Sequence, residues 1–228
     1  MTWPGVCDPY ATGFLREPAN AISSAAFVLA GAGILIASRP GVAGGDELVR
    51  HRRTVFAVLV ASVGVGSFIQ HGPHPEWQAY AHDLPLAAVL VFVATDAAAD
   101  LTGRELSNRW WLIPSAALVP VVALGATAST IAQAVLAGAA IGGNLLRAAR
   151  RPVLRRALIS ALVIAAAGVT IGSPSDPTSL CRADGLVPRH AIWHVLAAAA
   201  LWRLATVIGA RCASSLAKGR AAPVGSPL

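Results

Sequence analysis

The chain has 228 residues, of which 55% are hydrophobic and only 13% charged, about half the charged fraction of an ordinary soluble domain. With a mean hydropathy of +0.62 and three Cys, it is neither a disordered chain nor a collagen-like or disulfide-dense secreted scaffold, and a soluble fold is disfavoured. A net charge of +7 would suggest nucleic acid in a soluble protein. In so apolar a chain it reads as basic loops facing anionic lipid at the cytoplasmic face of a membrane, with no nucleic-acid partner.

A membrane span needs about 20 apolar residues, and seven such segments are read in chain order, at 20–38, 54–71, 83–101, 110–126, 129–147, 154–172 and 188–210. The expected fold class is all-α, a polytopic membrane protein built as a seven-transmembrane helix bundle. The opening MTWPGVCDPY lacks a basic n-region and an apolar h-region, so the first span is expected to insert as its own signal. Several segments are rich in small residues, as in AVLAGAAIGG, which lets membrane helices approach closely. The fourth and fifth segments have almost nothing polar between them. Residues 1–212 form one domain, and the Gly/Pro/Ser/Ala-rich stretch 213–228 reads as a disordered tail.

Charge orients the bundle. Arg39, Arg50, Arg52 and Arg53 follow the first segment, Arg104 and Arg109 the third, and Arg147, Arg150, Arg151, Arg155 and Arg156 the fifth, with Arg211, Lys218 and Arg220 at the end. The opposite side carries only Arg16, Arg182 and Arg189. The positive-inside rule then predicts an external N-terminus and a cytoplasmic C-terminus. The preponderance of Arg over Lys and the short loops lead to the expectation of a bacterial inner membrane.

Ionisable residues inside a membrane are costly and are functional candidates by default. Ser67 and His71 end the second segment four residues apart, His190 and His194 open the last with the same spacing, and Asp83 opens the third. Residues four apart share a helix face, about 6 Å apart along the axis, and the alternation of spans brings all five to the outer end. Three neutral imidazoles with an open position make the first shell of a catalytic Zn²⁺. His190 and His194 supply two. His71 is placed to supply the third, with His74 and His82 as competitors. Asp83 would hold the water or a ligand imidazole, and Ser67 would hydrogen-bond the oxyanion or the water. Such a set describes hydrolysis of an amide or ester within the membrane.

Each residue taken singly has a plainer reading. A lone His at a helix end is usually interfacial, as His51 beside its Arg neighbours suggests. Ser67 would be a small packing residue, and Asp83 an N-cap. Asp96 and Asp100, near the inner end of the third segment, are expected to pair with cytoplasmic Arg. Cys7 and Cys181 both fall on the oxidising side, where a disulfide can form, whereas Cys212 falls on the inner side.

Three blocks together resemble the alkaline ceramidase family, within the seven-transmembrane putative hydrolase superfamily that includes adiponectin-receptor-type proteins. REPANAISSAAFVLAG is similar to the family's Glu-x-x-Asn-x-x-Ser opening of the first span, GSFIQHGPHPEWQAYAHDLPL to its Ser-x-x-x-His followed by Asp, and LCRADGLVPRHAIWH to its Cys followed by His-x-x-x-His. The resemblance implies zinc on His71, His190 and His194, Ser67 and Asp83 around the bound water, a Cys7–Cys181 bridge, and a ceramide-like N-acyl lipid as substrate. It also implies a calcium site, for which Asp8 and Glu17 match two ligands while Gly5 and Tyr10 stand where other oxygen ligands would be expected. Ca²⁺ takes six or more oxygens. Without that site, Glu17, Asn20 and Ser23 would cap and pack the first helix. Two rival readings are a lipid-binding receptor or sensor with a structural zinc, and a haem electron carrier with His axial ligands.

Overall fold

A computed structural model of the chain describes residues 11–40, 47–105, 107–172 and 188–210. Among these residues the only regular elements are helices: α1 (Pro18–Ser23), α2 (Ala25–Ala37), α3 (Glu47–His71), α4 (Gln78–Thr102), α5 (Arg109–Ala117), α6 (Val119–Ala123), α7 (Ala126–Arg150), α8 (Pro152–Gly172) and α9 (Arg189–Ala205). If α1 with α2, and α5 with α6, are each counted as one interrupted rod, the helices fall at the seven places read from hydropathy. Among the described residues five rods are long and apolar enough to cross a membrane: Pro18–Ala37, Glu47–His71, Gln78–Thr102, Ala126–Arg150 and Pro152–Gly172. The chain is therefore a helical membrane protein. Arg109–Ala123 and α9 are shorter apolar pieces, and the 17 residues of α9 extend about 25 Å.

The breaks between helices have local causes. Gly125 separates α6 from α7 with φ 106°, a left-handed value that a side chain would oppose, and this divides the fourth and fifth segments where polarity gave no signal. Gly103 ends α4 in the left-handed conformation, the usual glycine terminator. Arg151, extended before Pro152, forces the sharp passage from α7 to α8, since a residue preceding proline avoids the helical region.

Hydropathy misplaced two helix starts. α3 begins at Glu47, before the apolar run, because its first turns carry charge. α4 begins at Gln78 with Trp77 at its N-cap, so Asp83 lies inside the helix and does not cap it.

Contacts between helices run in a closed circuit, α2 on α3, α3 on α4, α4 on α7, α7 on α8, α8 on α9 and α9 back on α2, with α5 and α6 leaning on α4. Phe56, Val60, Leu158 and Ile208 are fully buried at the centre, and Phe56 stacks on Phe92. Close approach depends on missing side chains. A Cβ on Gly31 would strike the Ala57 carbonyl, and one on Gly64 the Ser24 carbonyl, so α2 lies directly against α3. α9 is seated by two indoles, Trp202 over Gly33 and Trp193 over Gly168 and Gly172. Outward faces remain apolar, with Leu29, Val135 and Val163 all well exposed, as expected for a lipid-facing surface.

At the far end of α4 the two aspartates are buried and ion-paired, as expected. Asp96 takes Arg52 at 3.2 Å and Arg147 at 3.3 Å, and Asp100 takes Arg147 at 3.0 Å and Arg151 at 2.7 Å. Arg147 also donates to Asn144 Oδ1 and the Val207 carbonyl, while Gly209 N–H donates to Asp96. Arg147, at the end of the fifth segment, is fully buried, because two carboxylates from α4 meet it there.

Candidate metal centre

α3 ends, and α4 and α9 begin, at the same end of the bundle, and there three imidazoles meet. His71, His190 and His194 each offer a ligand nitrogen, and these lie within 4.8 Å of one another. Ring centroids are 5.0 Å apart for His71–His190, 5.2 Å for His71–His194 and 4.6 Å for His190–His194. His71 and His194 are buried and His190 is half-buried. Among the described residues this is the one group of three or more His, Cys, Asp or Glu side chains close enough to share an ion. His74, with its Nδ1 on the Gln70 carbonyl, is not part of it, and neither is His82, so the third imidazole is that of His71.

The donor set fits a metal. Among the described residues His71 Nε2 is buried without a hydrogen-bond partner, an unusual state for a buried polar atom, while His71 Nδ1 is engaged by Glu17 Oε2 at 2.5 Å. His194 Nδ1 lies 2.8 Å from Ser23 Oγ. Imidazoles that ligate metals are held in this way at their other nitrogen. Zn–N bonds of about 2.0–2.1 Å put ligand nitrogens a little over 3 Å apart, a contraction within the reach of side-chain torsions.

Two elements bring α3 to this position. Pro85, inside α4, has no N–H to give the Ala81 carbonyl four residues earlier. Gly66 packs directly against that carbonyl, where a Cβ would collide. The end of α3 is thereby pressed onto the start of α4 beside Ser67.

Ser67 is buried with its Oγ 3.2 Å from His194 Nε2 and 2.9 Å from Ser24 Oγ. Asp83 is differently placed from expectation. Its Oδ1 accepts from His82 Nδ1 at 2.7 Å and its Oδ2 from Ser129 Oγ at 2.6 Å, with Gln133 donating to the same Ser129. Between Asp83 and the trio stands His82, its ring edge-on to His71 at 6.2 Å.

Glu17 corrects the sequence reading. Its side chain makes no capping bond and instead accepts from Asn20 Nδ2 at 2.9 Å and from His71. Burial works to raise its carboxyl, and the hydrogen bonds from His71 and Asn20 outweigh that and hold it below the ordinary carboxylate value. Glu17 thus faces the centre as an anion. Asp8, the other expected calcium ligand, lies outside the described residues, as do Cys7 and Cys181. The roles of Glu17 and Ser23 were missed although the Glu-x-x-Asn-x-x-Ser spacing was visible, because nothing in one helix tells which neighbour its side chains reach.

No protein-family model matches this chain, and no curated protein matches it either.

Proposed function

We propose that this chain is a zinc-dependent hydrolase of the membrane interior that cleaves the amide bond of a ceramide-like N-acyl lipid. The reading takes the helices as a seven-span bundle with the His trio at the outer end and the Arg-rich end in the cytoplasm, against anionic lipid. The observation that carries it is the buried, unpartnered Nε2 of His71 beside His190 and His194. Three neutral nitrogen ligands with room for a fourth are the set of a hydrolytic zinc, whereas Ca²⁺ and Mg²⁺ demand oxygen.

Zn²⁺ held there supplies a Lewis acid that polarises a carbonyl and acidifies water. The chain's own residues do the rest. Ser67 Oγ–H is placed to donate to the oxygen of a carbonyl drawn onto the trio. Asp83, its carboxylate held by His82 and Ser129, is the group assigned to hold the proton released, with His82 between it and the trio. The apolar helices accommodate an acyl chain, and the substrate class follows from the resemblance to the alkaline ceramidase family.

Metal analysis of the detergent-purified full chain, paired with an untargeted lipid-hydrolysis screen, tests the reading. Expected are one zinc per chain and release of a fatty acid from an N-acyl lipid. Both are lost in His190→Ala, and Asp83→Asn keeps zinc but loses turnover. Undiminished turnover in His190→Ala, or a wild type that takes up no zinc, overturns it. Zinc with a lipid recovered intact would make the protein a lipid sensor instead.

A further inference from the structure

The N-cap residue Glu17 and the last residue Ser23 of the six-residue helix α1 reach the far sides of two of the three imidazoles. We infer that α1 is the orienting element of the metal centre. Glu17 and Ser23 set the Nδ1–H tautomer of His71 and His194 and so turn both Nε2 lone pairs toward one point. This rests on the metal-centre reading above and goes beyond it, since neither residue touches the ion.

Hydrogen-bond partners carry the inference for each tautomer. Ser23 Oγ lies 3.0 Å from the Asn20 carbonyl and 2.8 Å from His194 Nδ1. A hydroxyl has one proton; with Ser24 Oγ–H given to Ser67 Oγ, the inferred arrangement gives the Ser23 proton to the Asn20 carbonyl. Ser23 Oγ must then accept, and His194 Nδ1 must carry the hydrogen. The lone pair of His194 is therefore on Nε2, the nitrogen 3.2 Å from Ser67 Oγ. For His71 the partner is Glu17 Oε2, a carboxylate oxygen that also accepts from Asn20 Nδ2, so Nδ1 again carries the hydrogen and the unpartnered Nε2 the lone pair. The hydrogen bond made by one ring nitrogen dictates the state of the other.

The backbone makes α1 suited to this role. Arg16 N–H donates to the Gly72 carbonyl at 3.1 Å and Glu17 N–H to the His71 carbonyl at 2.8 Å, so the start of α1 is stitched to the end of α3. The same short helix packs on α9, and it stops at Ser24, where the rod to α2 is interrupted. One rigid turn thus spans the two helices whose imidazoles must converge. Its two contributions differ in kind, because Glu17 offers a carboxylate oxygen and Ser23 a neutral hydroxyl.

The test is read on the full chain in detergent, first without metal. Two-bond proton–nitrogen spectra of ¹⁵N-histidine-labelled protein should show His71 and His194 as Nδ1–H tautomers, the form that free imidazole side chains disfavour. Ser23→Ala should alter the His194 pattern alone, and Glu17→Ala that of His71 alone. Zinc affinity, read by competition with a chelator, should fall by about 10–100-fold in each, with Glu17→Ala the larger loss and Ser23→Thr restoring the His194 pattern. An Nε2–H tautomer on either ring of the wild type overturns the inference. So does unchanged zinc affinity in both alanine variants when His190→Ala abolishes binding, a result that leaves the zinc reading intact. A wild type that binds no zinc but shows both Nδ1–H tautomers removes the proposed function and keeps the orienting role of α1.

Discussion

The two ends of the bundle each bury a cluster of ionisable side chains, yet their hydrogen bonding differs. Around Asp96 and Asp100 all four carboxylate oxygens have a donor, from Arg52, Arg147, Arg151 or the Gly209 backbone. Around His71 a buried nitrogen has none. The clusters share helices, since Arg52 and His71 lie on α3 about 28 Å apart along its axis. Burial of polar groups in a membrane thus has two meanings. A saturated cluster ties helices together, here α3, α4, α7 and the turn after α9, and an unsaturated one is a place where something binds.

If that distinction holds, the largest stability effect belongs to the saturated end. Asp96→Ala or Arg147→Ala leaves an uncompensated buried charge and should cost about 3–5 kcal/mol, measured by reversible unfolding in mixed micelles, while the zinc content of the folded fraction stays unchanged. A loss below 1 kcal/mol would contradict the clamp. Next comes the unsaturated end, where His194→Ala should bring zinc from one equivalent to background and, compared without metal, should destabilise far less than Asp96→Ala. A large destabilisation of the metal-free protein would make the trio structural.

Gly66→Ala probes the seam between the two ends. A Cβ against the Ala81 carbonyl must push α3 from α4, at about 1–3 kcal/mol, and should weaken zinc binding by displacing His71; unfolding and chelator competition report the two effects separately. The smallest effect is expected for Ser67→Ala. It removes one hydroxyl contact, costs about 1 kcal/mol, and leaves zinc binding near wild type because Ser23 still holds His194. A loss of zinc in this variant would move Ser67 from the substrate side of the site to the ligand side.

Much of this contrast was legible without coordinates. The i,i+4 pairs Ser67/His71 and His190/His194 and the alternation of apolar segments are local or additive properties. Helix period and span count suffice to put these side chains at one depth and Asp96 and Asp100 at the other. Those signals did not extend to rotation and proximity. Asp83 was at the right depth but faces His82 and Ser129. Arg147 belongs to the Arg-rich end but is buried against the α4 aspartates. Glu17 and Ser23 were read as parts of a helix start but reach His71 and His194 across the bundle.

By itself the sequence determined that the chain is a helical membrane protein, and which residues populate each end of it, because burial of apolar length and placement of charge are summed along the chain. Only the tertiary structure decided which nitrogen of which histidine remains open. That depends on α3 resting on a carbonyl freed by Pro85 at Gly66, on indoles seating α9 in glycine notches, and on a short α1 bridging the two. These are contacts between distant segments, whose geometry no local period encodes.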